Sequence, residues 1–178
     1  MVTEKSALRT LLLAARRGMA PAARAAADDR LLAAVTKHLV TVRGKSFAGY
    51  VPMNTEPGAS GGSTGEGAAS LRELLGVTAI FPLVMPDGDL DWARGDVAPS
   101  PRGLWEPTGP RLGVHAIATV DLVIAPALAV DVSGMRLGRG GGAYDRALGR
   151  VPAGVPIVAL VFDDELLPRV PAEPHDRP

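Results

Sequence analysis

Two apolar runs leave this chain little choice of fold. VDLVIA (Val120–Ala125) and PIVALVF (Pro156–Phe162) are nearly continuous rather than alternating. A strand with one face in water alternates apolar and polar residues, whereas a strand covered on both faces does not. Both segments therefore predict buried strands. Helical patterns precede and separate them. In residues 4–17, Leu8, Leu11, Leu12 and Ala15 fall at the spacing of one apolar helix face. Pro21 suits the first turn of an Ala-rich helix that runs through residues 22–40 and ends before Gly44. Helices alternating with apolar strands argue for an α/β sheet with helices on both faces. A length of 178 residues, 47% of them hydrophobic, suits a single domain over 1–178 with a sizeable core.

Shorter signals fill in the order. Ser46–Val51 has strand character up to Pro52, Glu56 follows, and a Gly/Ser-rich loop comes next. Ala68–Leu75 predicts a short helix closed by Gly76, and Thr78–Phe81 a strand stopped at Pro82. LVM, the turn PDGD and LDW read as a hairpin. Pro99–Leu112 reads as loop; Trp105 within it either walls a pocket for a flat ring or pins the loop to the core. Pro126 ends the first apolar strand, and a loop over Ala127–Gly142 leads into a helix at Ala143–Leu148.

Composition excludes several classes of function. With 19 basic and 19 acidic residues there is no global field for nucleic acid or an anionic membrane, so any attraction for phosphate is local. The absence of cysteine removes disulfides, thiolate chemistry and Cys-based metal sites. No apolar run suggests a leader or a membrane span, and a cytoplasmic monomer is the expectation.

The chemistry concentrates in MRLGRGGGAYD, Met135–Asp145. Gly140, Gly141 and Gly142 permit positive φ and let backbone N–H groups converge on an anion. Arg136 and Arg139 flank them with guanidinium forks suited to phosphate or carboxylate. Asp145, at the start of the next helix, is placed to hold a metal riding on that phosphate. The Walker-type pattern fails because no Lys-Ser or Lys-Thr follows these glycines. Gly138, Gly140 and Ala143 match the dinucleotide fingerprint, with Asp163 further on, but that fingerprint needs its first glycine directly after a strand. Another kind of anion-binding loop fits better. Lys5, Arg9 and Arg16 share a stripe on the first helix, either a solvated basic face or a phosphate clamp.

VDLVIAPALAVDVSGMRLGRGGGAYDRAL resembles the signature of 5-formyltetrahydrofolate cyclo-ligases (5,10-methenyltetrahydrofolate synthetases). The resemblance extends to Lys5 and Arg9 on the first helix, Glu56 after the first strand, and the Trp105-Glu106-Pro107 loop. It implies ATP- and Mg²⁺-dependent closure of 5-formyltetrahydrofolate to 5,10-methenyltetrahydrofolate, with release of ADP and phosphate after phosphorylation of the formyl oxygen. It implies a three-layer α/β/α sandwich with a mostly parallel sheet, like that of sugar-phosphate isomerases and CoA transferases. Carried onto this chain, ATP would be held by Lys5, Arg9, Arg136, Gly138, Arg139, Gly140, Gly141 and Gly142. The folate would be held by Met53, Glu56, Trp105 and Tyr144. Arg139 and Tyr144 would serve catalysis, and Asp145 with Asp176 would hold Mg²⁺. Ala143 and Val130 stand where the family often carries aromatics, and the family pattern usually continues with a further short strand bearing an acidic residue. A non-catalytic folate- or nucleotide-binding relative, or a sugar-phosphate isomerase or CoA-transferase-like enzyme, are the alternative readings.

Overall fold

The computed structural model describes residues 3–42, 46–59 and 66–172. Two helices open the chain. Helix α1 (Glu4–Gly18) begins where the Thr3 side chain accepts the Ser6 N–H, has Glu4 in its first turn, and carries Arg16 and Arg17 in its last. Each charge complements the helix dipole at its own end. Helix α2 (Pro21–Val40) starts on its proline, as the pattern predicts. Helix α3 (Glu66–Leu75) closes at Gly76, whose φ of 81° is the left-handed cap and whose N–H reaches the Arg72 carbonyl at 3.0 Å.

The sheet at the centre is parallel. Strand β1 (Phe47–Ala48), strand β6 (Leu122–Pro126) and strand β9 (Ile157–Leu160) lie in the order β1-β6-β9. Phe47 pairs with Leu122, and Val123 with Ile157. Ala48 also bridges Ile80 in parallel, so the chain entering strand β2 (Phe81–Val84) flanks β1 on its other side.

Alternation along the strands sends side chains to two faces. Phe47, Leu122, Ile124 and Leu160 pack with Val35 and Leu39 of α2 and with Leu71 and Leu75 of α3. Ala48, Ile80 and Val123 pack on the other face with Leu90, Trp92, Ile117 and Ala147. Ala147 belongs to helix α4 (Ala143–Leu148). The result is the expected α/β architecture with layers on both sides of a parallel sheet. A third cluster seats Leu8 and Leu12 of α1 on Ala129, Leu137 and Val170. No helix among the described residues is long and apolar enough to cross a membrane.

Several expectations from the sequence are corrected. The segment Ser46–Val51 forms a strand only at Phe47–Ala48, because Tyr50 turns inward and donates its hydroxyl to the Pro57 carbonyl at 2.6 Å. Pro82 does not stop a strand; it lies within β2, opposite Trp92 of strand β3 (Leu90–Ala93). Its position alternates with ladder-bonded ones, and the N–H two residues on, at Val84, points away from β3 to the Glu106 carboxylate at 3.0 Å. The N–H that Pro82 lacks is thus not needed by the ladder.

The expected loop Pro99–Leu112 contains strand β5 (Trp105–Pro107), antiparallel to β4 (Val97–Pro99) around a turn at Gly103. The loop Ala127–Gly142 contains β7 (Ala129–Asp131) and β8 (Arg136–Leu137), with β10 (Leu166–Leu167) added in parallel to β7. The second apolar run is a strand buried only toward its end, at Leu160. β9 is at the edge of the sheet and Ile157 is 43% exposed.

That difference between β6 and β9 is measurable. Ile124→Ala should cost about 2–5 kcal/mol in urea unfolding, as for a cavity in a packed core. Ile157→Ala, at the exposed edge, should stay within about 0.5 kcal/mol.

Candidate active site

The parallel strands β1 and β6 both end toward one cleft of about 200 Å³. Ligands in open α/β sheets bind at such carboxyl ends, where the backbone leaves the ladder and its polar groups need new partners. Here arginines answer three of the carbonyls. Arg136 donates to Pro126 (3.2 Å), Arg16 to Ala127 (2.6 Å) and Arg9 to Gly138 (2.9 Å).

One wall of the cleft is the glycine loop. Gly140 has φ 99° and Gly142 φ 69°, conformations that side-chain-bearing residues rarely adopt. The glycines also make room for guanidinium groups. A Cβ on Gly138 would lie 2.9 Å from Arg136 Nη1, and one on Gly140 would lie 3.4 Å from Arg9 Cζ. A Cβ on Gly142 would lie 3.1 Å from Arg146 Nη1. Three arginines therefore crowd one short loop from different directions.

The loop is held from behind by Asp131. Its carboxylate accepts from Ser133 N–H and hydroxyl, from Met135 N–H and from Val170 N–H. These hydrogen bonds, the Ser133 hydroxyl first, lower its pKa to about 2 from the ordinary 3.8.

The facing wall is Glu56. One oxygen accepts the Met53 N–H at 3.0 Å, and the other lies 3.5 Å from Arg139 Nε. Burial pushes its carboxyl above the usual range, against the pull of Arg139. The turn that carries it is fastened to α2, since Asp28 accepts the Gly58 N–H at 2.7 Å. Between the walls stands Tyr144. Its hydroxyl is buried without a hydrogen-bond partner among the described residues, and its ring lies 6.0 Å from Arg136 Cζ. Burial, with Glu56 nearby, raises its pKa. An unsatisfied hydroxyl inside a protein costs about 1–3 kcal/mol.

The structure brings together most of the residues singled out from the sequence. Glu56, Arg136, Gly138, Arg139, Gly140, Gly141, Gly142, Tyr144 and Asp145 line the cleft; Arg9, from α1, does not line it but bonds the Gly138 carbonyl at its wall. Lys5 is buried one turn before Arg9. Met53 and Trp105 do not line this cavity. Met53 sits in the Glu56 turn, while Trp105 packs, as Tyr144 does, against the cluster that holds Phe47, Leu122 and Ile124. Asp176 lies outside the described residues. Of the two open readings of the basic stripe, neither covers Arg16, which is no solvated residue. It is 2% exposed, and its guanidinium forms a two-pronged pair with Glu165 at 2.6 and 2.8 Å.

Asp145 pairs with Arg136. The described residues contain no group of three acidic or histidine side chains able to hold a metal by themselves. One carboxylate beside a glycine loop does suit a hard cation that takes its other ligands from phosphates and water. Arg146, missed in the sequence reading, donates to the Gly88 carbonyl at 2.6 Å and lies against Gly142. The signal was present: it follows directly on Tyr144-Asp145, one turn from the glycines.

The chain matches the model of the 5-formyltetrahydrofolate cyclo-ligase family over residues 1–178. It is 38% identical to 5-formyltetrahydrofolate cyclo-ligase of Mycolicibacterium smegmatis, over 97% of this chain and 89% of that protein. The mouse enzyme of the same name is 33% identical over 46% of this chain and 44% of its own length. Among solved structures, 5,10-methenyltetrahydrofolate synthetase of Aquifex aeolicus superposes with a TM-score of 0.77 at 25% identity, covering 99% of this chain and 87% of that one. The Mycoplasma pneumoniae synthetase shares the fold, with a TM-score of 0.73 at 18% identity over 98% and 94% of the two chains.

The brace behind the loop can be tested by pH. The Asp131 carboxylate stabilises the fold above its ordinary pKa of 3.8 and stops doing so as pH falls through about 2. Asp131→Asn should therefore lower the unfolding midpoint at neutral pH. Its deficit against the parent should shrink from pH 4 toward 2, as followed by circular dichroism.

Proposed function

The chain belongs to the 5-formyltetrahydrofolate cyclo-ligase family, and from that premise we propose that it couples ATP to the cyclisation of 5-formyltetrahydrofolate into 5,10-methenyltetrahydrofolate. The observation that carries this reading is the Arg9 hydrogen bond to the Gly138 carbonyl, which sets a cationic helix against the glycine loop. A triphosphate laid on Gly138–Gly142 would meet Arg9 and Arg139 with backbone N–H groups between them. Phosphoryl transfer needs little covalent help from a protein; positioning and charge neutralisation do most of the work.

A formamide oxygen is a poor leaving group. Phosphorylation by ATP, with release of ADP, would convert it into phosphate, and attack by folate N10 on the activated carbon, with loss of the N10 proton to solvent, would expel that phosphate and leave the methenyl cation. Arg139, 3.5 Å from Glu56, would offset developing phosphate charge beside the formyl group. The unpartnered Tyr144 hydroxyl would donate to an oxygen of the reacting group. Glu56 would hold the pterin or formyl region by hydrogen bonding. Asp145 would hold Mg²⁺, which supplies charge neutralisation on the phosphate oxygens. For that, Asp145 shares or leaves its bond to Arg136, whose second bond to the Pro126 carbonyl keeps it in place. A nucleophilic side chain is not required.

Purified protein with 5-formyltetrahydrofolate, Mg²⁺ and ATP should develop methenyl-folate absorbance. Omitting any one component should abolish it, and so should Asp145→Ala. Binding of ATP and folate by calorimetry with no absorbance change would favour a non-catalytic relative.

Glu56 allows a separate check. Its carboxylate costs stability above its raised pKa and nothing below the ordinary 4.5. Glu56→Gln should raise the thermal midpoint at neutral pH, leave it unchanged in acid, and lower kcat/KM for the folate by about tenfold or more.

A further inference from the structure

Arg16 lies further along α1 than Arg9, the α1 cation bonded to the glycine loop. Arg9 lies seven residues earlier, close to two turns, and so on nearly the same face. The Arg16 guanidinium is sealed from water and has three recorded bonds. Nε and Nη2 take the two Glu165 oxygens, and Nη2 also takes the Ala127 carbonyl at 2.6 Å. Its Cζ lies 5.6 Å from the centre of the Phe162 ring. Glu165 in turn accepts the Phe162 N–H at 2.8 Å through the oxygen that faces Nη2. One side chain thus ties the end of α1 to the residue after β6 and to the turn after β9.

This cluster lies beside the site without belonging to its chemistry. Arg16 and Ala127 both border the cleft, yet the guanidinium is turned to Glu165 and a backbone carbonyl. The apolar contact that α1 makes through Leu8 and Leu12 is small and non-directional, and by itself leaves a helix freedom to slide and roll. A planar fork bonded on two sides allows no such freedom. We infer that Arg16 and Glu165 form a positioning pair that fixes the register of α1, and through it the placement of Arg9 over Gly138–Gly140. The pair acts on nucleotide binding through Arg9; it does not touch the ligand. The inference rests on the reading that the glycine loop takes the triphosphate.

The test measures binding, by calorimetry, of a non-hydrolysable ATP analogue with Mg²⁺ and, separately, of 5-formyltetrahydrofolate. The variants are Arg16→Lys, Arg9→Ala and both together, each checked for cooperative unfolding. Lysine keeps the charge and loses the fork. Arg16→Lys should weaken the nucleotide by about tenfold and leave the folate within about twofold, with the KM for ATP rising more than kcat falls. Arg9→Ala should also weaken the nucleotide, and the double variant should be no weaker than Arg9→Ala alone. Glu165→Gln, which keeps the shape of the partner, is measured alongside and should reproduce the Arg16→Lys pattern even if Arg16→Lys does not fold. Nucleotide affinity unchanged in both pair variants, equal loss for both ligands, or additive losses in the double variant would each overturn the inference while leaving the ATP reading in place. No effect of Arg9→Ala on the nucleotide would overturn both.

Discussion

The site depends on how a strand ends. β6 is the middle strand, paired with β1 at Leu122 and Val123 and with β9 from Val123 to Pro126, and beyond Pro126 that pairing stops inside the protein. Unpaired carbonyls there would cost as much as a lost buried hydrogen bond each. Arg136 and Arg16 supply the donors. Because a guanidinium has five N–H groups in a rigid plane, each arginine that caps a carbonyl has donors left to fix something else. Arg136 holds Asp145, and Arg16 holds Glu165. Capping the strand therefore also organises the rim of the cleft.

The glycines sit close under guanidinium groups. A Cβ on Gly138 or Gly142 would press on the tip of Arg136 or Arg146, and one on Gly140 would be in van der Waals contact with Arg9. The intervening Gly141 has open space where its Cβ would be. The alternation therefore has two effects. It allows positive φ at Gly140 and Gly142, and it lets three cations approach one stretch of backbone. Like charges gather at such close range only where counter-charges or ligands compensate. Asp145 compensates Arg136 directly, while Arg9 and Arg146 direct hydrogen bonds to carbonyls.

Across the cleft, the polar groups are kept at some cost to stability. Glu56 is a half-buried carboxylate whose pKa is held above its normal value, and the Tyr144 hydroxyl has no partner among the described residues. Folding alone would favour neither. Such groups mark places where the fold is arranged for a ligand rather than for itself.

Much of the architecture was legible in the sequence because its signals are local. Apolar periodicity set the extent of α1, Pro21 the start of the Ala-rich α2, Gly76 closed α3, and the run VDLVIA marked the central strand. The glycine loop and the helix after it were legible for the same reason. Edges and partners were not. The run PIVALVF looks like VDLVIA, and only strand order makes one an edge and the other central. Pro82 reads as a stop until its N–H direction in the β2–β3 ladder is known. Trp105 reads as loop until β4 pairs with β5. The stripe Lys5, Arg9, Arg16 was visible as a stripe, but its division into a loop contact and a buried ion pair depends on residues 129 and 149 positions away. A sequence determines what each segment prefers within a few turns of itself. Which cations meet the glycines, and which are sealed beneath them, is decided only when distant segments pack.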